Sequence, residues 1–198
     1  MSEVYFKKVK FVGSFIEAPT RFELPQFVFC GRSNVGKSSL INALLNQKIA
    51  QVSKTPGKTT TINAFVVDEK FYLIDVPGYG FAKRSKSIIN AWKKPIDDYL
   101  LNAGMLRTVF LLIDARVSLM PYDELFLEWL NYHNLNTVVL LTKIDKASQS
   151  QLALTKKHLQ KFNLQYIQTS SVSKKGIDRL AQLIMQACDI SFNLELFS

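Results

Sequence analysis

The chain has 198 residues, is 47% hydrophobic and 21% charged, and carries a formal net charge of +9. That is the size of one domain with short extensions, and the composition of a soluble globule able to bury a sizeable core. No apolar run approaches the ~20 residues a membrane-spanning helix needs, residues 1–10 do not read as a signal peptide, and two cysteines, Cys30 and Cys188, make no disulfide framework.

In chain order, residues 1–24 read as an N-terminal extension, with 9–15 a candidate edge strand. A buried strand over Phe27–Cys30 runs into Gly31-Arg32-Ser33-Asn34-Val35-Gly36-Lys37-Ser38. The spacing G-x-x-x-x-G-K-[ST] is that of a phosphate-binding loop, and the apolar-periodic segment after it predicts a helix over 36–46. Strand, loop and helix together are the setting the motif needs. The glycines let main-chain N–H groups turn toward phosphate oxygens, and the helix N-terminus adds partial positive charge. Lys37 can reach the β- and γ-phosphates, and the Ser38 hydroxyl can ligate Mg²⁺. Residues 51–61 contain Pro56-Gly57 and many small polar residues, and predict a loop.

Two β-rich runs, 62–67 and 71–76, flank Asp68-Glu69-Lys70 and predict a hairpin. The second ends in Asp75-Val76-Pro77-Gly78. A carboxylate at such a strand end can hold Mg²⁺ opposite Ser38, and Gly78 can offer its N–H to a γ-phosphate because no side chain blocks the approach. On chemistry alone Thr59, Thr60 and Thr61 each qualify to complete the magnesium shell. Further on, residues 87–102 predict helix bent at Pro95, 108–114 a strand, 121–131 a helix opened by Pro121, and 137–141 a strand. A basic amphipathic helix over 148–161, a short strand over 166–168 and a helix over 176–188 complete the pattern. Cys30 is expected to be a small core residue, and His133 and His158 surface residues.

Alternation after one hairpin implies an α/β fold: a mostly parallel six-stranded sheet with one antiparallel edge strand and helices on both faces. Ligands of such sheets bind beyond the carboxyl ends of the strands, where these motifs fall. Thr142-Lys143-Ile144-Asp145, after the strand 137–141, is similar to the guanine-reading N-K-x-D motif. Asp145 would accept from the guanine N1–H and exocyclic amine, a pattern adenine lacks. Thr169-Ser170-Ser171 is similar to a weaker loop that packs under the base. The +9 is uneven: residues 32–67 and 76–96 each hold five Lys/Arg and no acid. Charge so placed beside a nucleotide loop points to a polyanion such as nucleic acid.

The segments G-R-S-N-V-G-K-S-S (31–39), S-K-T-P-G-K-T (53–59), D-V-P-G-Y-G-F-A (75–82) and T-K-I-D (142–145) together resemble the TrmE–Era–EngA–EngB-like group of P-loop GTPases. Within that group they resemble the EngB (YihA/YsxC) family of bacterial ribosome-biogenesis GTPases. The resemblance implies a Ras-like GTP-binding domain over 25–190 with a C-terminal tail over 191–198. It selects Thr59 as the magnesium ligand beside Ser38 and Asp75, and makes T-K-x-D the expected form. It implies nucleotide contacts from residues 31–38, Gly57, Lys58, Thr59, Thr60, Thr61, Asp75, Val76, Pro77, Gly78, Thr142, Lys143, Ile144, Asp145, Thr169, Ser170 and Ser171. Lys37, Thr59, Gly78 and Asn34 carry the catalytic expectation.

The implied activity is a cytoplasmic, monomeric GTP/GDP switch, with Mg²⁺ as cofactor and no membrane insertion. Its implied partners are the large ribosomal subunit and its rRNA, and through them cell division and septation. Tyr79 stands where Ras has a water-orienting Gln, so slow intrinsic hydrolysis is expected, with Asn34 a candidate K⁺ ligand. Two other readings remain open at this point: a P-loop kinase or ATPase, which the Lys143/Asp145 pair disfavours, and a GTP-dependent cell-division scaffold that binds protein partners.

Overall fold

The computed structural model describes residues 5–16, 22–50, 61–79 and 96–195, with side chains as far as Cys188. Among these residues seven strands form one sheet in the order β1-β3-β4-β2-β5-β6-β7. They are β1 Val9–Phe15, β2 Gln26–Gly31, β3 Ile62–Val67, β4 Phe71–Asp75, β5 Leu106–Asp114, β6 Thr137–Thr142 and β7 Gln165–Gln168. Pairing is parallel from β4 across to β7, and β3 runs antiparallel to both β4 and β1. The helices are α1 Lys37–Leu45, α2 over 96–102, α3 Pro121–Tyr132, α4 Gln149–Gln160 and α5 Ile177–Glu195.

The central strands are continuous apolar runs because both their faces are covered. In β2, Phe27 and Phe29 join one core with α1 and α5, while Val28 and Cys30 join a second core with α2, α3 and α4. In β5, Phe110 and Leu112 face the first core and Val109, Leu111 and Ile113 the second. This is the period-two alternation of a strand, and each fully buried large side chain contributes about 1.5–3 kcal/mol. Cys30 is a core residue, and burial, ahead of any nearby charge, pushes its thiol up to about 12.

The seventh strand is the one whose sequence signal was weakest. Residues 9–15 pair with β3 and take the edge of the sheet. They are steered there by the hairpin turn. Asp68 and Glu69 adopt left-handed φ of 50° and 58°, as tight hairpin turns require, and the Asp68 carboxylate accepts the N–H groups of Lys7 and Lys8 at 2.9 and 2.7 Å. At the other end, α5 continues to Glu195, beyond the expected domain limit at 190. His133 and His158 are half-buried: the His133 ring lies 4.6 Å from Trp129, and His158 Nδ1 lies 3.3 Å from Ser118 Oγ.

The strand order sets the site. From β2 the chain proceeds to β3 and β4 on one side and later to β5 on the other, so the sheet reverses its direction of growth at β2. A crevice opens at such a reversal, beyond the carboxyl ends of the strands. Gly31, the last residue of β2, opens the phosphate loop at that point.

Candidate functional site: a phosphate loop tied to a base pocket

The loop between β2 and α1 is held by its own backbone and by three neighbours. Gly36 takes φ of 105° as the N-cap of α1, and Asn34 takes 64°, so the chain turns through left-handed geometry twice. A Cβ on Gly31 would stand 2.9 Å from Val35 Cγ1 and 3.0 Å from Leu112, which explains glycine at the strand end. The segment after β4 zips against the loop. Tyr79 N–H donates to Gly31 O at 3.2 Å and Ser33 N–H donates to Tyr79 O at 3.0 Å. Gly78 lies so close that a Cβ there would meet Ser33 N at 2.9 Å.

At the phosphate end, Lys37 Nζ pairs with the Asp75 carboxylate, and both side chains are buried. Ser38 follows Lys37 in the first turn of α1. The Tyr79 hydroxyl turns away from the loop and donates to Asp123 Oδ1 at 2.9 Å. Asp123 is fully buried in the first turn of α3, where Oδ2 also accepts Met120 N–H at 2.9 Å and lies 3.4 Å from Arg32 Nε. Burial, the largest influence, pushes the Asp123 carboxyl up. Burial and the Asp123 charge likewise push the Tyr79 phenol well up.

At the base end, Thr142 closes β6 and donates its hydroxyl to Val35 O at 2.8 Å. Lys143, at φ 56°, reaches Asn34 O at 2.6 Å and Asp114 Oδ2 at 2.9 Å. Asp114 ends β5 and also accepts Arg116 Nε at 2.9 Å and Nη2 at 2.7 Å. Burial works to raise its pKa, but the hydrogen bonds from Arg116 and Lys143 outweigh it and hold the carboxyl down at about 2. Asp145 lies in the 3₁₀ turn Ile144–Lys146. A cavity of about 190 Å³ there is lined by Gly36, Lys143, Asp145, Thr169 and Ser171, together with Ser39, Leu40, Thr142, Lys146 and Val172.

Most of the expected residues are therefore brought together. Gly31 to Ser38, Asp75 to Gly78 and Thr142 to Asp145 surround one crevice. Thr61 stands just before β3, with its hydroxyl 3.4 Å from Asn63 Oδ1. Gly57, Lys58, Thr59 and Thr60, and the basic Lys54, Lys83, Arg84 and Lys86, lie outside the described residues. Within the base loop the roles divide. Thr169 and Ser171 line the cavity, whereas Ser170 is fully buried and its hydroxyl accepts the N–H groups of Val172 and Ser173 at 3.2 and 3.0 Å. Asp114 and Asp123 were missed by sequence reasoning. Each had only a carboxylate at an element boundary to signal it.

A P-loop at a sheet's reversal point, bound to a T-K-x-D turn with a cavity beside it, defines a nucleotide-binding domain of the GTPase class. The profile of a family described as "50S ribosome-binding GTPase" matches residues 26–143. A protein named "Probable GTP-binding protein EngB" from Aquifex aeolicus (strain VF5) is 47% identical over 156 residues, spanning 78% of this chain and 85% of that one. One of the same name from Thermotoga petrophila is 46% identical over 164 residues, spanning 80% and 84%. Among solved structures, "Crystal structure of a probable GTP-binding protein engB" superposes with a TM-score of 0.68 at 26% identity, covering 83% of this chain and 98% of that one. Era in complex with MgGDPNP and a fragment of 16S ribosomal RNA shares the fold, with a TM-score of 0.65 at 22% identity, covering 84% and 57%. The chain belongs to the EngB family of GTP-binding proteins.

Proposed function

We propose that this chain is a GTP-hydrolysing switch that works in the cytoplasm, as a monomer, on assembly of the large ribosomal subunit, and thereby supports normal cell division and septation. The observation that carries the reading is the tie between the two halves of the crevice. Thr142 Oγ1 to Val35 O and Lys143 Nζ to Asn34 O lock the base-reading turn onto the phosphate loop. In this reading a guanine at Asp145 would stand in fixed register with phosphates at residues 31–38. Support for the ribosomal partner comes from the family description and from the acid-free basic segments 32–67 and 76–96.

The residues fit Mg²⁺. Asp75 is 3% exposed and is neutralised in this structure by Lys37. When Lys37 turns its charge to the phosphates, a carboxylate so buried needs another cation, and unpaired it would be strongly destabilising. Ser38 and Asp75 offer the hard oxygen donors magnesium takes, with Thr59 as the proposed third. Magnesium, when bound, offsets charge on the β- and γ-phosphate oxygens. Lys37 and the loop N–H groups hold those phosphates, and Gly78 offers its N–H to the terminal one. The Tyr79 hydroxyl is committed to Asp123, so the position after D-x-x-G supplies no group to orient an attacking water. Slow intrinsic hydrolysis follows, and Asn34 is the proposed K⁺ ligand that compensates.

Co-sedimentation with purified bacterial large subunits tests this reading. The chain carrying a non-hydrolysable GTP analogue is expected to pellet with subunits, to do so less with GDP, and to release steeply as salt rises. Equal retention with GTP analogue and GDP, or retention indifferent to salt, would contradict it. Equal hydrolysis rates in K⁺ and Na⁺, with and without subunits, would remove the Asn34 role alone.

A further inference from the structure

Helix α3 is apolar on two sides. Leu127 and Leu130 face the core with the buried Asp123. On the opposite side Tyr122, Leu125 and Tyr132 are 51%, 59% and 81% exposed, and Met120, just before the helix, is 38% exposed. Residues 122, 125, 129 and 132 are spaced by three, four and three, which places them in one stripe, with the part-buried Trp129 at its centre. The ten steps of helical rise from Tyr122 to Tyr132 make the stripe about 15 Å long. A surface helix that only covers a core has no need of a second apolar face. An exposed stripe with aromatic residues and a polar margin is the pattern of a docking site.

Charge says what docks there. Residues 117–142 contain no Lys or Arg, in a chain whose net charge is +9, and with Asp123 buried on the core side the acids left to the outer face are Glu124 and Glu128. Glu124 and Glu128 fall along one margin of the stripe by helical spacing. Nucleic-acid phosphates would be repelled there. The opposite case is the edge strand β1, where exposed Phe11 and Val12 stand among Lys7, Lys8 and Lys10. That edge suits a polyanion, and the α3 stripe suits a cation-bearing polypeptide with apolar anchors. The stripe is also joined to the nucleotide site. Trp129 stacks on Phe126 at 5.9 Å, Phe126 lies 5.3 Å from Tyr79, and the Tyr79 hydroxyl bonds Asp123 on the same helix.

We propose that the outer face of α3 is a docking surface for a basic protein segment carrying apolar side chains, and not for RNA. The choice of test particle rests on the ribosomal reading above; the surface itself does not. A photoreactive benzophenone amino acid in place of Tyr132, irradiated with purified large subunits and a non-hydrolysable GTP analogue, is expected to form adducts with a basic ribosomal protein. Adding Leu125→Lys to the same chain is expected to cut the yield by about tenfold while leaving GTP affinity unchanged, because Leu125 is exposed and the helix's contacts with Arg32 and Tyr79 run through Asp123 and Phe126. Where the chain sediments with subunits, adducts with rRNA or with a second copy of this chain, no adduct, or a yield indifferent to Leu125→Lys would overturn the proposal. If the chain does not sediment with subunits, the ribosomal reading fails. Irradiation with RNA-free large-subunit proteins then decides the surface, an adduct supporting it and none overturning it.

Discussion

Two lysine–aspartate pairs sit at strand ends on either side of β2, Asp75 closing β4 and Asp114 closing β5, and they are built for different work. Lys37 and Asp75, at the phosphate end, have side chains only 9% and 5% exposed, and among the described residues each is the other's one salt-bridge partner. Lys143 and Asp114, at the base end, are 26% and 7% exposed and belong to a larger network with Arg116 and Asn34 O. A lone buried pair is costly to break, because whichever charge remains is left without compensation. It opens only where a new partner takes the old one's place, the part proposed above for a phosphate at Lys37. The networked pair has partners in reserve and acts as a standing brace between β5, the T-K-x-D turn and the phosphate loop. The crevice thus combines an exchangeable charge pair with a fixed one.

The sharpest break of this comparison is Asp75→Ala. It strands the Lys37 ammonium and is expected to lower the stability of the nucleotide-free protein by about 3–5 kcal/mol in urea unfolding. Added GDP is expected to recover part of that loss by supplying the missing negative charge. A loss below ~1 kcal/mol would mean that the pair is not buried as described.

Asp114→Asn has a smaller effect, of a different kind. Lys143 keeps Asn34 O but loses its carboxylate, and guanine-nucleotide affinity is expected to fall by about tenfold, as measured by displacement of a fluorescent GDP. The same variant carries a pH signature. The folded carboxyl is held at about 2, below the ~3.9 of an unfolded Asp. Its contribution is therefore complete above pH ~4 and is lost as pH falls toward 2. Acid unfolding of the variant is expected to be shallower in that window, and an identical acid profile would dismiss the brace. Thr142→Val is expected to cost least, about 1 kcal/mol, by leaving Val35 O without its hydroxyl donor. Thermal unfolding measures that loss.

The motifs whose spacing encodes main-chain geometry were the legible part of the site. Glycines at 31 and 78 announce close approaches and glycine at 36 a left-handed φ of 105°, whoever the neighbours are, and the strand and helix around Gly31–Ser38 stand where period and composition put them. Asp114 was illegible because its partners lie at positions 34, 116 and 143, and a terminal carboxylate on an apolar strand gives no local sign of them. Asp123 read as an ordinary acid in a helix's first turn. Its burial depends on Tyr79, 44 residues earlier, and on Arg32. β1 was a weak signal because an edge strand needs only one apolar face, and its register is set by the distant Asp68. The T-K-x-D threonine shows the reverse. The side chain that replaces the usual Asn has a definite use, since its hydroxyl ties the turn to the loop.

Nucleotide selectivity tests the central claim most directly. Titrating the purified chain with GDP, GTP and ATP is expected to give tight guanine-nucleotide binding, with ATP weaker by at least about a hundredfold, and Asp145→Ala is expected to collapse that difference. Equal affinity for adenine and guanine nucleotides, or selectivity that survives Asp145→Ala, would contradict a crevice in which one turn reads the base and one loop holds the phosphates.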